Sequence, residues 1–201
     1  RSLRGEGSDQ AQCRHHVHGR VYPVTSGFMA AVPVMEKNRD IKTGIGDPLV
    51  QQLVDQLDSS RFIRTIEELV DFGSRNTTWS GSSVDAARDF IAGEFQSMGL
   101  VTSTPTFSVM GVGAFNVVGV LGGSTRPDEF LVVGAHYDSL PETGPAPGAE
   151  DNASGTAGVI ELARVLVSAQ PQRSIWFVAF SGEEQGLWGS QDFVDGFSPG
   201  E

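Results

Sequence analysis

Histidine and carboxylate residues that could bind a metal ion or move a proton are concentrated between His136 and Glu184. They fall in three short segments, His136-Tyr-Asp138, Ala149-Glu-Asp-Asn-Ala-Ser-Gly155 and Ser181-Gly-Glu-Glu-Gln-Gly186. The first and third segments follow apolar runs typical of buried strands, and the second follows a loop rich in Gly and Pro. Because open α/β sheets build their sites at the carboxyl ends of strands, we expect the three segments to meet there.

His136 directly follows the apolar run of residues 130–135. An imidazole is a common zinc ligand, and its second nitrogen needs an oriented acceptor, which Asp138 could provide. The alternative is a core histidine that is hydrogen-bonded to a neighbour. For an isolated His-x-Asp, that second interpretation is favoured.

Asp151 and Asn152 precede an apolar periodicity that predicts a helix over residues 155–168. Either residue could therefore be the N-cap of that helix. Alternatively, Asp151 is a carboxylate able to bridge two cations. The motif alone leaves both interpretations open.

Glu183 and Glu184 follow the apolar run of residues 174–180. Two adjacent carboxylates raise the cost of ionising one another, and a metal would resolve this by binding one and leaving the other as a proton acceptor. A helix N-terminus also favours two acidic residues through its dipole. The dipole does not explain why His136 and Asp151 lie in the same region.

Together, Gly134-Ala-His-Tyr-Asp-Ser139, Ala146-Pro-Gly-Ala-Glu-Asp-Asn-Ala-Ser-Gly155 and Phe180-Ser-Gly-Glu-Glu-Gln-Gly-Leu-Trp-Gly-Ser190 resemble the motifs of the dizinc aminopeptidases. That family includes aminopeptidase Y and the bacterial leucyl aminopeptidases and, more distantly, glutaminyl cyclase and glutamate carboxypeptidase. Three motifs in the family's order are a specific signal. The resemblance implies an α/β fold of three layers, α/β/α, with a mostly parallel central sheet.

The resemblance also implies roles for individual residues. His136 would ligate one zinc ion, Asp151 would bridge two, and Glu184 would ligate the second. Glu183 would be the general base that acts on a zinc-activated water, and Asp138 would orient His136.

Two features around Asp151 also follow from the resemblance. The peptide bond that joins Asp151 to Asn152 is expected to be cis, as it is in relatives. Glu150 stands where many relatives carry aspartate, and no metal role is transferred to it.

The implied activity is that of a zinc-dependent aminopeptidase acting on peptides with a free N-terminus. Two further ligands are expected from the family, an aspartate after the next strand and a later histidine, yet no histidine follows His136. This absence, and a first residue that is Arg1, predict a fragment truncated at its C-terminus that is inactive alone.

Two other functions compete with the aminopeptidase. One is a glutaminyl cyclase-like zinc acyltransferase, against which the motif of residues 182–187 favours a peptidase. The other is a non-catalytic binding module on the same fold, against which the retention of two adjacent glutamates argues.

The charge distribution excludes some partners. Of 14 basic and 25 acidic residues, residues 1–47 carry seven and five, so the remainder carries seven and twenty and a net charge of −13. Such a surface repels nucleic acid and anionic membranes, and we expect neither as a partner. An acidic site suits divalent cations and the amine of a peptide N-terminus.

We expect the chain to divide into a poorly ordered leader over residues 1–47 and the N-terminal part of a catalytic domain over residues 48–201. Secretion is suggested by family habit and by the glycosylation sequon at Asn76. A second sequon, at Asn152, lies inside the expected zinc loop, and we do not expect it to be modified. Cys13 is the only cysteine and leaves the redox compartment undecided.

Other periodicities predict the elements that cover the sheet. Amphipathic helices are expected from Ser60 to Gly73 and from Ser83 to Gly99. Residues 104–109 and 115–121 are expected to form neighbouring strands.

Overall fold

The computed structural model describes residues 47–140 and 145–197. The leader predicted over residues 1–47 therefore falls, apart from its last residue, outside the described residues. In chain order the elements within the described ranges are α1 (Pro48–Val54), α2 (Ser59–Asp71), α3 (Val84–Ser97), β1 (Val101–Ser103), β2 (Thr106–Val109), β3 (Val112–Phe115), β4 (Val117–Leu121), β5 (Arg126–His136), a π-helical turn (Ala149–Ala153), α4 (Ser154–Leu166), β6 (Arg173–Phe180) and α5 (Trp188–Asp195).

The central sheet has four strands in the order β1-β4-β6-β5. β5 and β6 are parallel, whereas β4 runs antiparallel to both β1 and β6. The predicted α/β class is confirmed, but within the described residues the expected parallel pairing occurs only between β5 and β6. A parallel pair needs a crossover of a dozen or more residues, which α4 supplies there, whereas no helix separates β1 from β4.

The prediction that residues 104–109 and 115–121 form neighbouring strands is wrong. β2 pairs with β3 in a hairpin whose register joins Val109 to Val112. Met110 and Gly111 form its two-residue turn with φ of 52° and 87°, as a tight hairpin requires. The tight turn returns the chain at once, so the hairpin forms a small sheet of its own and β4 starts only after Asn116.

The helices expected over residues 60–73 and 83–99 are confirmed as α2 and α3. The side chain that caps α2 belongs to Asp58, which accepts hydrogen bonds from the backbone N–H groups of Ser60 and Arg61 at 2.9 and 3.1 Å. Asp58 is therefore the N-cap of α2, two residues before the start at Ser60 that the sequence predicts.

Helices cover both faces of the central sheet. On β6, Ile175, Phe177 and Ala179 join the buried core together with residues of α2, α3 and α4. The alternate residues point the other way, and the rings of Trp176 and Phe180 lie 6.1 and 5.6 Å from that of Phe193 in α5. The three-layer arrangement predicted from the sequence is thus present.

None of the helices within the described residues is both long and apolar enough to span a membrane.

Arg75, in the loop after α2, ties the ends of several elements together. Its side chain is fully buried and donates hydrogen bonds to the backbone carbonyls of Leu69, Tyr137, Pro147 and Gly148. Burial lowers the pKa of Arg75 to about 10, an effect that the charges of nearby carboxylates partly offset, so the guanidinium stays charged at neutral pH. The clamp holds the end of β5 against the loop that leads to the π-helical turn.

We expect Arg75→Met to lower the free energy of unfolding by about 3 kcal/mol, because it leaves buried carbonyl groups without donors. Urea denaturation of the intact protein measures this change. Arg126→Met is the matched control, since Arg126 makes exposed contacts with Glu129 and Gln172 and should cost less than about 1 kcal/mol. Equal unfolding midpoints for the two variants would contradict a stabilising role for the buried hydrogen bonds of Arg75.

Candidate metal centre

The carboxyl ends of the two parallel strands lie side by side and carry two of the three predicted segments. His136 at the end of β5 is in register with Phe180 at the end of β6. The pairing continues one residue further, where the Tyr137 N–H donates to the Phe180 carbonyl at 2.9 Å. Asp138 and the Ser181-to-Glu184 turn therefore begin beside each other, as the sequence predicts for strand ends.

Three predicted metal ligands come together at this edge. His136, Asp151 and Glu184 each offer a ligand atom, and these atoms all lie within 4.8 Å of one another. His136 Nε2 lies 3.0 Å from Asp151 Oδ1. One imidazole nitrogen and two carboxylates are a donor set that zinc accepts, so the residues present fit the predicted metal.

The structure settles which of Asp151 and Asn152 caps the following helix. Asn152 Oδ1 accepts a hydrogen bond from the Gly155 N–H at 2.9 Å, so the cap is Asn152. The Asp151 side chain remains 71% exposed and faces His136. The peptide bond between Asp151 and Asn152 is cis, as expected.

Asp138 lies beneath the cluster with its side chain fully buried. Its Oδ1 accepts from the Glu183 N–H at 3.3 Å and faces His136 Nδ1 at 3.4 Å. Its Oδ2 accepts from the Glu184 N–H and from the Thr77 hydroxyl, each at 3.3 Å. Three groups thus donate to this carboxylate, and His136 Nδ1 faces it.

These contacts determine which nitrogen of His136 is available to a metal. Nδ1 faces the Asp138 carboxylate and also the Asp138 carbonyl oxygen at 3.2 Å, and both can only accept. Nδ1 must therefore carry a proton. With Nδ1 held by Asp138, the Nε2 atom faces Asp151 and is the nitrogen available to a metal. The role predicted for Asp138, to orient His136, agrees with this geometry.

The electrostatic surroundings of His136 favour a positive charge at Nε2. Burial lowers the pKa of His136, but the hydrogen bond to Asp138 and the charges of Asp138, Glu183 and Asp151 outweigh it and raise the pKa to about 9. Carboxylates that favour a proton at this position also favour a divalent cation there.

The two adjacent glutamates differ in their surroundings. Glu184 Oε1 accepts a hydrogen bond from the Leu140 N–H at 3.1 Å. Burial raises the pKa of Glu184, and the charges of Asp138 and Asp151 add to the rise, so a cation near this carboxylate would relieve an electrostatic cost. Glu183 Oε2 lies 3.7 Å from His136 Nε2, beside the ligand cluster.

The sequence interpretation missed several polar residues that support these side chains. The Thr77 hydroxyl contacts Ser181 Oγ at 2.9 Å and accepts from the Gly182 N–H at 3.1 Å. Asn116 accepts from the Ser181 N–H at 3.1 Å and donates to the Gly189 carbonyl at 2.8 Å. Short polar residues in loops are common, and nothing in their types or spacing signals that these are buried.

The two sequons gain no support as modification sites. Asn76 is only 7% exposed, and its Oδ1 accepts from the backbone N–H and hydroxyl of Thr78 at 2.8 and 3.1 Å. The Asn152 side chain is engaged as a helix cap. Secretion remains a prediction that neither sequon supports.

Comparison with known proteins identifies relatives of this site. Residues 116–199 match the sequence profile of peptidase family M28. A probable zinc metalloprotease of Pyrenophora tritici-repentis is 40% identical over 166 residues, which cover 72% of this chain and 34% of that protein.

Two solved structures share the fold. The LapA aminopeptidase of Legionella pneumophila is 28% identical with a TM-score of 0.64, over 74% of this chain and 41% of that chain. A glutaminyl cyclase of Bacteroides thetaiotaomicron is 23% identical with a TM-score of 0.56, over 64% of this chain and 48% of that chain. This chain thus spans less than half the length of each of these proteins. The predicted resemblance to the dizinc aminopeptidase family is confirmed.

We expect Asp151→Ala to lose most bound zinc, because it removes the carboxylate that lies closest to His136 Nε2. Glu150→Ala is the matched control, since Glu150 is an exposed carboxylate in the same turn to which no metal role is assigned. Zinc content per protein, measured by plasma mass spectrometry after dialysis, distinguishes the two variants. Undiminished zinc in Asp151→Ala would remove Asp151 from the ligand set.

Proposed function

Because this chain belongs to peptidase family M28, we propose that the intact protein is a zinc-dependent aminopeptidase that hydrolyses the N-terminal peptide bond of peptides. The observation that carries the proposal is the meeting of His136, Asp151 and Glu184 at one strand edge, with the Glu183 carboxylate beside them. A binding module has no chemical need for this fourth group. A hydrolase does need it, since water must lose a proton to attack an amide.

The ligands divide between two zinc ions in the proposal. His136 and Asp151 would hold one ion, Asp151 and Glu184 would hold the other, and Asp151 would be shared. The exposed side chain of Asp151, which lies 3.0 Å from His136 Nε2 and within 4.8 Å of the Glu184 ligand atom, supports a bridging role. When bound, zinc polarises the scissile carbonyl and makes water acidic enough to react near neutral pH.

Glu183 is the general base in this proposal. Its backbone N–H is held by Asp138, while its carboxylate lies 3.7 Å from His136 Nε2 at the exposed side of the site. It accepts a proton from the attacking water and returns it to the departing amine. Glu184, whose carboxylate accepts from the Leu140 N–H, is held as a ligand and is less free to exchange protons.

The charge of the chain supports a substrate with a free amino terminus. Residues 48–201 carry a net charge of −13, and the site itself is lined by carboxylates. An ammonium group is attracted to such a surface, whereas nucleic acid and anionic membranes are repelled. We further propose, from family habit alone, that the protein is secreted.

We expect Glu183→Gln to retain zinc and to lower kcat by about 10²- to 10⁴-fold, the usual contribution of a general base. Hydrolysis of leucine p-nitroanilide by the intact protein measures the rate, and zinc content is determined on the same sample. Glu67→Gln is the control, because Glu67 is an exposed glutamate of α2. Retained turnover in Glu183→Gln would remove this residue as the base.

Two substrates test the class of activity with the unmodified protein. N-acetyl-leucine p-nitroanilide lacks the free amine, so an aminopeptidase should leave it intact. A peptide that begins with glutamine should lose that residue by hydrolysis. Formation of pyroglutamate instead would favour the glutaminyl cyclase alternative, and the absence of any reaction with bound zinc would favour the binding module.

A further inference from the structure

The Thr77 hydroxyl lies where two of the metal-bearing segments meet. It is 3.3 Å from Asp138 Oδ2, 2.9 Å from Ser181 Oγ and 3.1 Å from the Gly182 backbone nitrogen. We infer that Thr77 is a positioning residue of the metal centre. Its hydroxyl fixes Asp138 against the Ser181-to-Glu184 turn and so sets the spacing between His136 and the two glutamates.

The hydrogen-bonding capacities of the groups allow one arrangement that satisfies all of them. The Gly182 N–H can only donate, so Thr77 Oγ1 accepts from it. The Asp138 carboxylate only accepts, so the Thr77 O–H proton is directed to Oδ2. The Ser181 hydroxyl then donates to the remaining lone pair of Thr77. The result is a directed chain from Ser181 through Thr77 to Asp138.

Because these three side chains are buried, water cannot take over the hydrogen bonds of the Thr77 hydroxyl. Thr77, Ser181 and Asp138 are 5%, 1% and 0% exposed, so bulk water has no access to substitute for the hydroxyl. Without it, the Gly182 N–H loses its acceptor and Asp138 Oδ2 keeps only the Glu184 N–H as a donor. Buried polar groups left without partners are costly, and the surrounding turn is expected to shift to restore them.

A shift of the Asp138 carboxylate would directly alter the positions of His136, Glu183 and Glu184. The same carboxylate faces His136 Nδ1 and accepts from the N–H groups of Glu183 and Glu184. A rotation that favours one partner would move it away from another. The orientation of the imidazole and the position of the glutamate turn are therefore coupled through a group that Thr77 holds in place.

The test removes the hydroxyl while keeping the shape of the side chain. In the intact protein, Thr77→Val should weaken zinc binding and lower kcat by about ten-fold or more with little change in KM, within the range usual for groups that support metal ligands. Thr77→Ser restores the hydroxyl and should return both quantities to within about three-fold of the unmodified protein. Zinc dissociation constants come from competition with a chromogenic chelator on samples shown to be folded by circular dichroism.

Thr78→Val is a matched control for the loop. The Thr78 hydroxyl bonds only to Asn76 Oδ1 within its own loop, among the described residues. This variant should bind zinc as the unmodified protein does. If Thr77→Val does not fold, the comparison is made between Thr77→Ser and Thr77→Ala, which differ by the hydroxyl alone.

Three results would overturn the inference. These are zinc affinity within two-fold of normal in the variant that lacks the hydroxyl, failure of Thr77→Ser to restore it, or an equal loss in Thr78→Val. The turnover readout rests on the proposed function, whereas zinc affinity does not. If no form of the protein hydrolyses peptides but zinc affinity follows the Thr77 hydroxyl, the proposed activity fails and the positioning role stands.

Discussion

The buried carboxylate of Asp138 is the contact on which the arrangement of the site depends. It links one strand end, through His136, to the turn after the other, through the N–H groups of Glu183 and Glu184. A single carboxylate thereby fixes the orientation of an imidazole and the backbone of both the proposed base and a proposed metal ligand. Its partners are two backbone N–H groups, the Thr77 hydroxyl and an imidazole nitrogen, which come from three separate segments. The parallel register of β5 and β6 brings these partners within its reach.

Crowding of negative charge explains why this edge of the sheet suits a cation. Asp138, Asp151, Glu183 and Glu184 lie close to His136. Burial lowers the pKa of His136, but Asp138, Glu183 and Asp151 outweigh it and raise this pKa. Burial and the charges of Asp138 and Asp151 raise the pKa of Glu184. Arg75 is a buried cation, but it donates its hydrogen bonds to backbone carbonyls. Within the described residues it forms no ion pair with these carboxylates. The charge on the open side is thus left for a metal ion to balance.

The sequence indicated the candidate metal ligands better than it indicated the residues that hold them in place. His136 and Glu184 were recognisable because each follows an apolar strand, where side chains emerge at a sheet edge. Asp151 could not be separated from Asn152 by pattern, since both types cap helices, and only the backbone of the turn distinguishes them. The β2–β3 hairpin was misjudged because its turn uses Met110, a residue that seldom adopts positive φ.

The residues that were missed share a physical property. Arg75 and Thr77 act through burial and through contacts more than sixty positions away in the chain, which no local pattern records. They also lie two residues apart in one loop and form hydrogen bonds with different parts of the site. Arg75 holds the segment that leads to Asp151, while Thr77 holds the turn that carries Glu184. A loop without a ligand of its own thereby sets the distance between two ligand-bearing segments, so changes in it should alter metal affinity before they alter the donor set.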